Sequence, residues 1–148
     1  MGSLRRKIMA SEVANNFRVE LASGNIDFSS DTFKIILMGT GFVFDPDTHD
    51  LYADVSASEL STAYGYTAGG ATLGGVAVTQ NDVDDQVDIT WNNISWTASG
   101  GDIGPTCGAI IYDDTATGDV IVGFIDFAAD YTESDGGVAT ITNITVVI

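Results

Sequence analysis

Basic side chains are missing from most of this chain. All five Lys and Arg residues, Arg5, Arg6, Lys7, Arg18 and Lys34, fall within the first 34 positions, and from Ile35 onward His49 alone can carry positive charge. That same stretch holds 17 of the 21 acidic residues. A body of this sign repels nucleic acid and anionic bilayers, so neither is expected as a partner. Cys107 is the only cysteine, which excludes an intrachain disulfide, and stability must come from packing, strand pairing or assembly. Proline occurs twice, at Pro46 and Pro105. No apolar run approaches the ~20 residues that cross a bilayer as a helix. The basic patch Arg5-Arg6-Lys7 is not followed by an apolar stretch, so a cleaved secretory signal is not expected.

What is present describes one domain. The 148 residues are 45% apolar, enough to bury a core despite the charge. An Asp-rich, Lys-poor surface also suits salty water, where screening relieves self-repulsion. Residues 1–14 read as a flexible basic arm and 15–148 as a single β domain. Phe17, Val19 and Leu21 alternate with polar neighbours and predict a strand. Phe33–Met38 is a nearly continuous apolar run, broken by Lys34, between Asp31 and Gly39, as in a strand buried on both faces. Thr48–Val55 has room for one helical turn. Glu59–Tyr66 predicts a bent strand, and the four glycines of Thr67–Gly75 predict a loop or bulge. Val87, Ile89 and Trp91 alternate, and Ile94 and Trp96 extend the stripe. Ser99–Pro105 predicts a mobile loop, Cys107–Tyr112 and Val120–Phe127 a hairpin around DDTATGD, and Ala128–Gly137 a polar loop. The apolar face of Ile144, Val146 and Ile148 predicts a strand inside a sheet rather than at its edge. About eight to ten short strands with regular turns predict an all-β antiparallel sandwich or jelly-roll-like domain.

Few residues carry obvious chemistry. His49 and Cys107 are a conceivable pair, but Cys107 sits in an apolar strand and reads as an inert core thiol. No GxSxG elbow or Walker loop occurs. Carboxylates abound without any pair standing out, so no catalytic residue and no resident cofactor are expected. Two Asp-rich loops raise a calcium alternative: Asp45, Asp47 and Asp50 beside His49, and Asp82, Asp84, Asp85 and Asp88. Turn chemistry, with Asp capping a short helix or closing an Asx turn, is the better explanation of both. A sugar-binding platform of Trp96 with Tyr64, Tyr66, Tyr112 and Tyr131 is a further alternative, with Trp91 in the core.

Several stretches, taken in order, resemble a known group. They are Ala14–Leu21 (ANNFRVEL), Thr32–Leu37 (TFKIIL), Phe44–Asp50 (FDPDTHD), Tyr52–Val55 (YADV), Gly65–Leu73 (GYTAGGATL) and Ala109–Asp114 (AIIYDD). The order is similar to that in small structural proteins from the virion modules of tailed bacteriophages, many from marine or cyanobacterial hosts, and the likeness spans residues 14–148. The resemblance implies a non-enzymatic virion component present in many copies on the capsid, neck or tail. It implies partners among virion proteins, the major capsid protein first, and a homo-oligomer, for instance a trimer. A capsid decoration or cement role leads. A tail, neck, baseplate or fibre-attachment role and a carbohydrate-binding module are the alternatives. The basic start departs from the group's shorter starts. Arg5, Arg6 and Lys7 are the partner-binding candidates, docking on an acidic neighbour.

Overall fold

A computed structural model describes residues 11–148. The chain runs β1 (Ser11–Val13), α1 (Asn15–Ala22), β2 (Phe33–Gly39), α2 (Tyr52–Val55), β3 (Ala71–Thr72), β4 (Ala77–Asn81), β5 (Gln86–Trp91), β6 (Ile94–Thr97), β7 (Ile103–Asp113), β8 (Val120–Glu133), β9 (Val138–Ile141) and β10 (Ile144–Val147). All strand pairs are antiparallel. They form a five-stranded sheet in the order β1-β8-β7-β2-β3, a three-stranded sheet β10-β5-β4 and the pair β6-β9. This is the all-β, sandwich-like fold that the alternating pattern predicts.

The central strands β2, β7 and β8 are apolar on both faces because both are covered. Ile35, Ile111 and Gly123 share one face through their register, and Phe33 lies on it two residues earlier. There Phe33 meets Trp91 of β5, ring centroids 5.6 Å apart, and Phe28 stacks on Phe33 at 5.0 Å. Phe17 of α1 closes this aromatic group edge-on to Phe28 at 6.1 Å. The opposite face carries Ile36, Ile110 and Phe124 in register. The segment after β2 covers it: Phe44 stacks on Phe124 at 5.7 Å, and Tyr52 on Tyr112 at 5.0 Å.

Five expectations change. Phe17–Leu21 is helical, because Phe17 and Leu21 fit i, i+4 as well as i, i+2 spacing; Val19 decides between them and is 60% exposed. Ser11–Val13, placed in the arm by its sequence, is a strand on β8. Glu59–Tyr66 is not a strand but a looped segment with single bridges Met38–Glu59 and Ala63–Tyr66. The expected loops at 99–105 and 128–137 are partly strand: β7 begins at Ile103 and β8 runs to Glu133, with Ile103 opposite Glu133 and Thr106 opposite Tyr131. Irregular register and a positive φ at Ala128 bend this extension without ending the strand. The last strand, β10, is an edge strand of its sheet. Ile144 and Val146 are fully buried by the core beneath them, and β1 lies beside its outer flank.

Candidate functional site

The GYTAGG stretch, Gly65–Gly70, belongs to a densely connected polar site among the described residues. Tyr66 is buried, and its hydroxyl accepts the Leu37 N–H of β2 at 3.0 Å. The same hydroxyl donates to Glu59 at 2.6 Å. Tyr52 also donates to Glu59 at 2.6 Å, and the Gly69 N–H donates to it at 2.8 Å. Tyr112 of β7 donates to the Gly69 carbonyl at 2.7 Å. One half-buried carboxylate thereby ties α2, the glycine loop and the central sheet together. Burial, reinforced by Glu59, pushes Tyr52 up to about 12 and Tyr66 higher still, so both hydroxyls stay protonated donors. A Cβ at Gly65 or Gly70 would fall on the carbonyl oxygen of Thr97 or Ile35, so backbone lies directly on backbone at both ends of the motif. The arrangement acts as a structural clamp.

The two Asp-rich loops are held by turn hydrogen bonds. Asp45 accepts the Asp47 N–H at 2.9 Å, which together with Thr48 holds its carboxyl below the usual range. Asn15 donates to Asp47, and Asp54 rather than Asp50 receives the N–H groups of Asp50 and Leu51, at 3.1 and 2.9 Å. In the β4–β5 turn, Gln80 donates to Asp82, Asn81 to Asp84 and Asp88, and Gln86 to Asp88, while Asp85 takes a positive φ. Among the described residues no three His, Cys, Asp or Glu side chains are gathered as metal ligands.

The aromatic platform is not formed. Trp96 is 7% exposed and packs on Tyr66 at 5.9 Å; Trp91, Tyr66 and Tyr112 are buried, while Tyr64 is exposed and Tyr131 half-buried. Cys107 is half-buried and donates to the Gly39 carbonyl at 3.2 Å, and burial pushes its thiol up. His49 does not meet it there: its Nδ1 accepts the Asp45 N–H at 3.0 Å, and its ring stacks on Phe42 at 5.4 Å. Arg5, Arg6 and Lys7 lie outside the described residues. No helix among the described residues is long and apolar enough to cross a membrane.

No protein-family model, no curated protein and no solved structure matches this chain.

Two features carried no signal in the linear sequence. Among the described residues strand β4 pairs on one side only and is exposed from Ala77 to Gln80, with Val78 54% exposed and Val83 of the following turn 90% exposed. It carries none of the lysines or prolines that usually protect an edge. The other is a buried acid pair. Asp113, at the end of β7, is fully buried; its carboxylate accepts the N–H groups of Thr115 and Ala116 at 2.8 and 3.1 Å. Its second oxygen has no hydrogen-bond partner, and Asp31 lies within hydrogen-bonding reach. Burial first, opposed by those two N–H groups and reinforced by Asp31, pushes Asp113 up to about 6.

Proposed function

We propose that this chain is a non-enzymatic structural protein of a tailed-phage virion that binds the assembled capsid as a decoration or cement protein. The observation that carries the reading is the separation of charge. Three cations, Arg5, Arg6 and Lys7, precede β1 at the edge of the main sheet, and every Lys and Arg is gone after Lys34. The resemblance of its motif order to that of small virion proteins supports it. So does the open β4 edge, which a neighbouring shell subunit would cover by adding a strand. The mechanism is mass action: many copies that bind only the assembled state stabilise that state. The basic arm steers and holds each copy on an acidic neighbour.

Charge reversal tests the arm. With Arg5→Glu, Arg6→Glu and Lys7→Glu combined, affinity for purified shells at moderate salt is expected to fall by at least about tenfold, the loss of roughly 0.5 kcal/mol per screened contact. Wild-type binding should itself weaken as salt rises. Unchanged affinity of the triple variant, measured by co-sedimentation, would remove the arm from the mechanism.

A further inference from the structure

We propose that in the free chain residues 4–10 continue β1 along the outer edge of β8, where Arg5, Arg6 and Lys7 meet the acids Asp126 and Asp130. The register of β1 points there. Ser11 lies opposite Ile125 and Glu12 opposite Phe124, antiparallel, so a chain that enters at Ser11 arrives beside Asp126. β8 runs on to Glu133, whereas β1 covers it only from Gly123 to Ile125. Ala14 donates its N–H to the Val122 carbonyl at 3.1 Å. The alternation of an antiparallel ladder then turns the backbone groups of Phe124 and Asp126 the same way, toward positions 12 and 10. Because Ser11–Val13 is already paired, further residues join without closing a new loop.

Charge favours the same placement. Asp126, Ala128 and Asp130 are exposed on this continuation of β8. The described cations are engaged elsewhere. The Lys34 ammonium meets Asp114 at 3.1 Å, and Arg18 donates to Asn15 at 3.0 Å and to the Val13 carbonyl at 3.4 Å. The remaining cations, Arg5, Arg6 and Lys7, all lie in the segment that leads into Ser11. Counting back from Ala10 opposite Asp126, Arg6 falls opposite Asp130. If Ala128, whose φ is 63°, is the extra residue of a bulge, Lys7 falls there instead. In both registers a cation stands across from the acid.

An apolar footing lies on the same face. A depression of about 210 Å³ is lined by Glu12, Phe42, Val43, Phe44, Phe124 and Asp126 among others, and Val43 is 79% exposed. Glu12 and Phe124 share this face by register, and the period of two puts Ala10 and Ile8 on it as well. The segment thus brings one apolar side chain to the aromatic wall and three cations to the acids beyond it. The contact belongs to the free chain and does not rest on the capsid reading. On a shell the arm would exchange its own edge for a neighbour's, so the two contacts compete.

The test is backbone amide exchange, followed by NMR, on the full chain at low concentration and without shells, beside a peptide of residues 1–12. At low salt the amides of Ile8 and Ala10 are expected to exchange at least about tenfold more slowly in the chain than in the peptide. Asp126→Asn with Asp130→Asn should reduce that protection by about threefold or more, and so should added salt on the wild type. Asparagine keeps an acceptor for the Ala128 N–H, which Asp126 takes at 2.8 Å, so β8 should retain its shape. Joining Arg5→Glu, Arg6→Glu and Lys7→Glu to Asp126→Lys and Asp130→Lys should restore the protection. Peptide-like exchange at Ile8 and Ala10 in the wild type would overturn the proposal. Protection that disappears on tenfold dilution would overturn it in favour of docking on a second copy. Protection untouched by the asparagine variants and by salt would remove the two acids as partners. No shell enters the measurement, so failure here and failure to bind capsids are separate results.

Discussion

Replacing Glu59 with alanine is expected to lower stability by about 3–4 kcal/mol, because three hydrogen bonds to one carboxylate are lost together. Bonds to a charged acceptor contribute about 1.5–3 kcal/mol each, and the half-exposed setting lets water recover part of the sum. Tyr66 would keep only the Leu37 N–H, and Gly69 would lose the contact that fixes its loop. For a domain of this size the melting temperature should fall by about 8–14 °C. Glu59→Gln should cost less, about 1–2 kcal/mol, since its amide oxygen still accepts while its NH2 cannot receive a tyrosine hydroxyl. Chemical denaturation of the three proteins measures this. A Glu59→Ala loss under about 1 kcal/mol would mean that the clamp is ornamental.

Gly70→Ala is expected to be at least as damaging, at about 3–5 kcal/mol, for a reason that has nothing to do with hydrogen-bond loss. Its φ of +78° is unfavourable for any residue with a Cβ, at about 1–2 kcal/mol. The added methyl would also land on the Ile35 carbonyl and against the Ile36 side chain. That carbonyl belongs to rigid sheet backbone, so the glycine loop must move instead, pulling β3 from its register opposite Lys34 and Ile35. Gly24→Ala separates the two causes. Gly24 has nearly the same φ, +80°, but open space around it, so its loss should stop at about 1–2 kcal/mol. Equal losses at the two sites would show that backbone strain, and not the close approach, accounts for the motif.

These residues also mark where the sequence was legible. Phe33–Met38 read as a strand buried on both faces and Cys107–Tyr112 as a buried strand, and both lie largely in the core, because strands covered by other elements carry few polar positions. Trp91 followed its parity with Ile89 into the core. The helix at α1 was hidden because Phe17 and Leu21 satisfy two periods at once. The far half of β8 was hidden because its outward residues Asp126 and Asp130 give a solvent-facing strand the composition of a loop. GYTAGG was visible as a motif, but its purpose was not. Glu59 meets Tyr52 on one side and Tyr66 and Gly69 on the other, and no local pattern marks an acid as the centre of such a group. The Asp31–Asp113 pair joins two loops far apart along the chain, so only the folded arrangement reveals it. The Asp runs that stood out most in the sequence are turns held by their own neighbours.

The account rests on adhesion to an assembled shell. Its most direct measurement is co-sedimentation of the purified full chain with capsid shells of a tailed phage carrying its genes, beside unassembled capsid protein, followed by electron microscopy of the pelleted particles. The account predicts saturable binding to shells but not to free subunits, with added density repeating under the shell's symmetry. A chain that stays in the supernatant with every shell and leaves the particle surface unchanged would contradict it.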